Sequence, residues 1–180
     1  MEIDLDMEQP LSIWLCPDTT ANQHFQRTID DIAEQERALP FAPHVTLLGD
    51  ILAAPRDIET LCRLTFVEQG AVEARVAGLA TTNQFFMSLF VDLDVPPDVH
   101  DVRHNLADRL GIDAVQDFRP HLSLAYGLAA DAQARQNGRT KAAIKGWDKL
   151  FLDTVVIASS SSRLPINLWK TLIKIKLTKS

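Results

Sequence analysis

The sequence predicts an α+β fold of two related lobes, each a mainly antiparallel sheet covered by helices. Two observations predict this architecture. Strand and helix signals follow nearly the same order in both halves of the 180-residue chain, and each half places a Pro-His-apolar-hydroxyl-Leu stretch after a predicted helix. One continuous parallel sheet fits this order less well, and the length suits a single domain over residues 1–180.

The first half begins with a predicted strand over residues 11–16, where apolar residues occupy alternate positions. Trp14 falls between them, so we expect its side chain on the face opposite the core. A helix is predicted over residues 19–36, with Thr19 or Thr20 as its N-cap. A strand over 44–49 and a helix over 55–66 follow.

The rest of the chain continues the same alternation. Phe86 belongs to a predicted strand over 85–93, where it shares a face with Ser88 and Phe90. The serine run at 159–162 is predicted to be a flexible hairpin tip. The other predicted elements are a strand over 71–81, a turn at 82–84, a helix from 97 or 98 to 110, a strand over 121–127, a polar helix over 129–140, and closing strands over 150–158 and 168–177.

Composition limits the classes of partner. The formal net charge of -6 disfavours long nucleic acid, because a polynucleotide requires a basic surface, but it allows a small phosphate ester. Cys16 and Cys62 are too few for a disulfide scaffold, which favours reduced thiols and the cytoplasm, with association at an organelle surface left open. The acidic residues 1–10 are predicted to be a flexible tail, and no apolar stretch is long enough to insert into a membrane.

The repeated motif places polar side chains together. His44 and Thr46 are two positions apart in a predicted strand, so they project from one face while the apolar residues between and after them face the core. His121 and Ser123 follow the same parity. If the two faces oppose each other, two imidazoles and two hydroxyls surround one point.

This set of groups suits displacement at phosphorus. A neutral histidine can take a proton from attacking water while a protonated one donates to the leaving oxygen, each contributing roughly 10²- to 10⁴-fold in rate. The hydroxyls can donate to the phosphate oxygens, and no metal or other cofactor is required. One such motif alone is more typical of an ordinary strand face, but two copies favour the catalytic interpretation.

The chain resembles the 2H phosphoesterases, a family defined by two His-apolar-Ser/Thr-apolar motifs. Here these are His44-Val45-Thr46-Leu47 and His121-Leu122-Ser123-Leu124, with similarity to plant and fungal cyclic phosphodiesterases in SIWLCP, PHVTLLG and PHLSLAYG. The resemblance implies a cleft between two lobes and metal-independent opening of ADP-ribose 1″,2″-cyclic phosphate to the 1″-phosphate. It also implies opening of nucleoside 2′,3′-cyclic phosphates to 2′-phosphates, in the processing of tRNA-splicing by-products.

By the same resemblance, His44 and His121 are catalytic, with His121 as base and His44 as acid, and Thr46 and Ser123 bind phosphate. Tyr126 resembles a family tyrosine near the phosphate, although strand parity places it off the face of His121. It reaches the cleft only past a bulge or at the strand's end, aided by Gly127.

Aromatic residues are candidates for binding the base. Trp14 and Phe86 can stack on adenine or uracil, or can pack under a helix or the other lobe. His100 and His104 have helical i, i+4 spacing but lack a third zinc ligand, which favours a solvated helix face.

The leading hypothesis is therefore a monomeric hydrolase of small cyclic phosphates. The alternatives are a nucleotide- or RNA-binding module of the same fold without turnover, and a related enzyme that acts on RNA ends. The intact histidines and hydroxyls disfavour the first alternative, and the acidic charge disfavours long RNA.

Overall fold

The computed structural model describes residues 4–113 and 117–178. Strands and helices in these ranges alternate in the predicted order. The strands are β1 (Gln9–Pro17), β2 (Val45–Ala53), β3 (Val72–Ala80), β4 (Leu89–Asp94), β5 (His121–Ala125), β6 (Lys149–Ser159) and β7 (Lys170–Lys176). The helices are α1 (Thr19–Glu36), α2 (Pro55–Thr65), α3 (Pro97–Leu110) and α4 (Ala130–Ile144), with short 3₁₀ helices at Phe85–Met87 and Ile166–Leu168.

All strand pairs described are antiparallel, and one long strand joins two lobes. The sheet has the order β2-β1-β6-β3-β4-β5, and β7 also pairs with β6. Along one edge of β6, residues 149–152 pair with β3, whereas residues 154–159 pair with β7. The sheet therefore divides at β6 into a lobe with β2, β1 and β7 and a lobe with β3, β4 and β5, which confirms the predicted α+β architecture.

Each helix covers more than the strands that it connects. Helix α1 links β1 to β2 but also packs against β5, and α3 links β4 to β5 but contacts β2. Helices α1 and α4 contact each other, as do α2 and α3. These contacts across the lobes hold the β2 and β5 edges in one body.

The apolar residues of both motifs lie in one core. Val45, Leu47, Leu122 and Leu124 are all buried in the same cluster. This burial agrees with the alternation predicted for both strands, and it directs the histidines and hydroxyls away from the core. Deleting such a side chain leaves a cavity and costs about 2–5 kcal/mol for leucine to alanine.

Several local predictions are corrected. The N-cap of α1 is Asp18, whose side chain accepts from the Ala21 N–H, because a carboxylate caps as well as a hydroxyl. The predicted strand over 85–93 starts only at Leu89, since Thr82 holds the Met87 carbonyl through its N–H and its hydroxyl and closes a compact turn. The alternation assumed for Phe86 therefore does not apply.

The two segments expected to be flexible are also more ordered than predicted. In the serine run, Ser160 and Ser161 are buried, and the Ser160 carbonyl accepts from the Ser12 hydroxyl. Within the predicted tail, residues 9–10 belong to β1, and Asp6 forms an ion pair with Arg56 at 3.0 Å. No helix within residues 4–113 and 117–178 is long and apolar enough to cross a bilayer.

Candidate active site

A cavity of about 260 Å³ lies where the two lobes meet. The β2 and β5 edges approach each other there, and each contributes its histidine. The residues that line it are Ser12, Trp14, His44, Thr46, Gly49, Asp50, Gln84, Phe86, Met87, His121, Tyr126, Ser160, Ser161, Ser162 and Trp169. Two motifs that are far apart in the chain thus meet at one site.

His44 is the buried histidine of the pair. Its side chain is 4% exposed, and its ring stacks on Trp14 with centroids 3.9 Å apart and planes 16° apart. The pKa of His44 is lowered to about 4, mainly by burial; a hydrogen bond to the Ala42 carbonyl opposes this lowering, and the charge of nearby His121 adds to it. His44 is therefore neutral at pH 7.

His121 lies in a more open and more polar setting. It is half-buried, and its ring contacts Phe90 edge to face at a centroid distance of 5.1 Å. Burial holds the pKa of His121 below its usual value, although less strongly than for His44; the hydrogen bond to the Arg119 carbonyl and the charge of Asp92 oppose this lowering, and the Arg119 charge adds to it. Of the two histidines, His121 is the one that holds a proton more readily.

Both imidazoles are oriented by the same backbone arrangement. The Nδ1 atom of His44 lies 2.6 Å from the Ala42 carbonyl oxygen, and that of His121 lies 2.7 Å from the Arg119 carbonyl oxygen. A carbonyl only accepts, so Nδ1 carries a proton in each ring. Nε2 is therefore the nitrogen without a proton in each neutral ring.

Tyr126 joins the two halves of the site. It follows the last residue of β5, next to Gly127 with φ of 66°, and its hydroxyl lies 3.4 Å from His44 Nε2. Burial raises the pKa of Tyr126, against a smaller lowering by its hydrogen bond with Ser123. Tyr126 therefore reaches the cavity from the end of β5, which is one of the two routes expected from the strand alternation.

The two motif hydroxyls are placed differently. Thr46 lines the cavity and pairs with Trp14 in the β1–β2 register. Ser123 is buried behind the wall, and its hydroxyl donates to the Phe86 carbonyl at 3.1 Å. Only the threonine therefore faces the cavity directly.

The aromatic wall includes residues that sequence reasoning missed. Trp169, just before β7, lies 6.0 Å from Phe86 with nearly parallel planes, and it is 5.8 Å from Tyr126. Phe41 stacks on Tyr126 at 3.9 Å. The Phe-x-Pro-His pattern shared by residues 41–44 and 118–121 was a signal for Phe41, whereas nothing local in the sequence marks Trp169.

Other candidates lie away from this cavity. Arg119, two residues before His121, pairs with Asp92 at 2.7 Å and lies over the Phe90 ring. His100 packs edge to face on Phe118, and His104 is exposed. Among the residues that the structure describes, no group of three or more His, Cys, Asp or Glu is arranged to hold a metal ion, and both cysteines are free and buried.

Comparison with known proteins identifies the family. Residues 13–150 match the family described as the 2'-5' RNA ligase superfamily. The chain belongs to this superfamily. Membership confirms the resemblance to the 2H phosphoesterases, and with it the expectation of an enzyme that acts on phosphodiesters.

Individual members of the superfamily are distant in sequence but similar in fold. The chain is 22% identical to "Cyclic phosphodiesterase" of Arabidopsis thaliana over 131 residues, which is 73% of this chain and 72% of that protein. E. coli LigT complexed with 3'-AMP matches with a TM-score of 0.59 and 15% sequence identity. LigT complexed with phosphate matches with a TM-score of 0.56 and 13% sequence identity. Both matches cover 96% of this chain and 99% of LigT, which supports the two-lobed fold over nearly the full length.

Proposed function

We propose that this protein hydrolyses small cyclic phosphates by general acid and base catalysis with His44 and His121. The substrates are nucleoside 2′,3′-cyclic phosphates, opened to 2′-phosphates, and ADP-ribose 1″,2″-cyclic phosphate, opened to the 1″-phosphate. The observation that carries the proposal is one cavity lined by two imidazoles, each of which contacts a backbone carbonyl through Nδ1. The name of the Arabidopsis relative supports a cyclic substrate, and LigT is known with phosphate and with 3'-AMP.

His44 is the general base in this proposal. Neutral His44 has a lone pair on Nε2, because its proton is on Nδ1 at the Ala42 carbonyl. A water on the His44 side attacks phosphorus and gives its proton to that nitrogen, which burial keeps free of a proton at pH 7. In the free protein the Tyr126 hydroxyl lies 3.4 Å from the same nitrogen and donates to it, and it turns to the phosphate when the water takes its place.

His121 is the general acid. The bond from phosphorus to the 3′ oxygen breaks, and that oxygen takes the proton from His121 Nε2, which leaves a 2′-phosphate and a free 3′-hydroxyl. Asp92 favours the protonated form of His121, and the negative phosphate of the substrate favours it further. Burial of His44 and openness of His121 thus favour the reverse of the roles expected from family analogy.

The phosphate oxygens are held by hydroxyl and phenol donors. Thr46 faces the cavity and donates to one non-bridging oxygen, where charge must be stabilised in the transition state. Ser123 donates to Phe86 in the free protein and turns toward the phosphate when substrate enters. Tyr126, whose pKa burial raises, stays protonated and remains a donor at neutral pH.

The base stacks on the aromatic wall. Phe86 and Trp169 present nearly parallel rings at the cavity, whereas the Trp14 ring already covers His44. A flat base bound against Phe86 and Trp169 gains stacking of about 1–3 kcal/mol. We therefore assign Phe86 and Trp169 to base binding, and Trp14 mainly to orienting His44.

The test is product analysis of purified protein in excess EDTA. Uridine 2′,3′-cyclic phosphate and ADP-ribose 1″,2″-cyclic phosphate are incubated side by side, and products are separated by chromatography against 2′- and 3′-phosphate standards. We expect the 2′-phosphate and the 1″-phosphate in the presence of chelator. Absence of turnover, a 3′-phosphate product, or turnover only after adding a divalent metal would contradict the proposal.

A further inference from the structure

The cavity has a polar end away from the aromatic wall. Ser12 and Trp14 lie two residues apart on β1, so they share a face and are separated by about 7 Å along the strand. Trp14 pairs with Thr46, so Ser12 lies the same distance beyond the position of Thr46. Ser12, Asp50 and the serine run at 160–162 line this end. Any part of a substrate that extends past the reacting phosphorus in this direction meets these groups.

The Asp50 carboxylate is fixed in place by the backbone. Between Leu11 and Ile13 the β1–β2 register shifts, which leaves a bulge in β2, and Asp50 adopts a left-handed conformation with φ of 54°. Its Oδ1 atom accepts the Ser162 N–H at 2.7 Å. The bulge in β2 and the contact with Ser162 therefore both hold the Asp50 carboxylate at the cavity wall.

The charges around the cavity are one-sided. Among the described residues that line it, Asp50 supplies the single carboxylate and none is Lys or Arg. An adjoining groove contains Arg103 and Arg119 together with Asp113, Asp117 and the same Asp50, so acids outnumber arginines there. Arg119 is already paired with Asp92. Counted over its described lining residues, neither surface carries a net positive charge for a second phosphate.

Hydrogen-bonding groups at the polar end have capacity for an uncharged partner. The Ser160 hydroxyl is buried and has no hydrogen-bond partner among the described residues, and the carboxylate of Asp50 has two oxygens of which Oδ1 holds Ser162. Burying a polar group without a partner is costly, so a substrate hydroxyl that hydrogen-bonds to Ser160 or Asp50 would bind more tightly.

We propose that Asp50 and the serines of this end form a specificity subsite for the uncharged 5′-hydroxyl side of a nucleoside and against a 5′-phosphate. This inference rests on the proposed function. In this proposal the base lies on Phe86 and Trp169, and the 5′ side of the ribose extends toward the polar end. Nucleosides that end in a 5′-hydroxyl are then preferred to 5′-phosphorylated ones and to ADP-ribose cyclic phosphate, whose diphosphate carries negative charge.

The experiment compares kcat/KM for uridine 2′,3′-cyclic phosphate with and without a 5′-phosphate. We expect wild type to prefer the 5′-hydroxyl substrate by about 10-fold. Asp50→Asn, which removes the charge but tolerates positive φ and still accepts from Ser162, reduces that preference by about 3- to 10-fold. Asp31→Asn, the same charge change on the exposed face of α1, leaves it unchanged.

A second measurement needs no variant. Raising the salt concentration screens charge repulsion, so the wild-type preference narrows at about 0.5 M KCl. Equal kcat/KM for both substrates at low salt, or an Asp50→Asn ratio equal to that of wild type, would overturn the subsite.

Failure of the proposed function is distinguished by a binding measurement. If neither substrate is opened, the proposed function fails, and the subsite is then tested by calorimetry with uridine 2′-phosphate and uridine 2′,5′-bisphosphate. Tighter binding of the monophosphate by about 10-fold supports the subsite, and equal or reversed affinities reject it.

Discussion

The two halves of the active site share a backbone design but differ in their surroundings. In each half, a proline precedes a histidine whose Nδ1 contacts the carbonyl oxygen two residues earlier. His44, however, is buried against Trp14, whereas His121 is half-buried beside the Arg119–Asp92 pair. The repeated motif sets the position and tautomer of each ring, and the neighbouring residues set its charge.

In the proposed mechanism, this difference lets a symmetric framework perform an asymmetric reaction. Hydrolysis requires one ring without a proton on Nε2 and another with it, and two identical environments would not separate these states. Burial lowers the pKa of His44 more strongly, so the rings are already biased before substrate binds. The proposed roles follow from this bias.

The largest expected effect is loss of turnover when either ring is removed. We expect His44→Gln and His121→Gln each to reduce kcat for a 2′,3′-cyclic nucleotide by about 10³-fold, because each removes one proton transfer. His104→Gln, on the exposed face of α3, serves as the matched control and keeps wild-type activity. If kcat falls by less than 10-fold in either site variant, the replaced histidine does not take part in proton transfer.

A second prediction concerns stability at low pH and sharpens the contrast between the rings. The pKa of His44 is about 4 in the folded protein and about 6.5 when unfolded, so the unfolded chain binds the extra proton. The contribution of His44 to the free energy of unfolding is fully present above pH 6.5. It is lost as the pH falls toward 4, and the loss is about 3 kcal/mol at most.

Urea unfolding at several pH values between 4 and 7.5 measures this effect. His44→Gln should flatten the fall in the free energy of unfolding across that window, and His121→Gln should flatten it less, because His121 is more exposed. Equal pH dependence in wild type and His44→Gln would mean that the folded protein admits a charged His44.

The smallest expected effect tests the surroundings of His121. Asp92 raises the pKa of His121, so Asp92→Asn should move the alkaline limb of the kcat/KM profile to lower pH, because the acid loses its proton earlier. Asp94→Asn, in the same strand, exposed and paired with Arg75, is the control. A shift to higher pH in Asp92→Asn would remove Asp92 from this role.

The sequence was sufficient where the signals are local. The bounds of α1 and α3 agree with the prediction, since periodic apolar residues and a terminal Pro or Gly specify each helix on its own. The motif was singled out because it occurs twice, and the structure brings His44, Thr46 and His121 to one cavity. Strand parity also placed the apolar motif residues correctly in the core.

The missed features depend on contacts between distant segments. Trp169 reaches the cavity because β7 pairs with β6; the two closing strands were predicted, but the sequence does not show that they border this cavity. The serine run is ordered by Ser12 and Asp50, which lie more than 100 residues earlier in the chain. The burial of His44 also required the fold, because Trp14 covers it from another strand.

The central claim is that His44 removes the proton from water while His121 protonates the leaving oxygen at one phosphorus. The direct measurement uses a nucleoside 2′,3′-cyclic phosphate with sulfur at the 3′ bridging position, since a thiolate leaves without a proton. The account predicts that His121→Gln opens this substrate within about 10-fold of wild type, while His44→Gln stays about 10³-fold slower. Rescue of His44→Gln instead, or of neither variant, would contradict it.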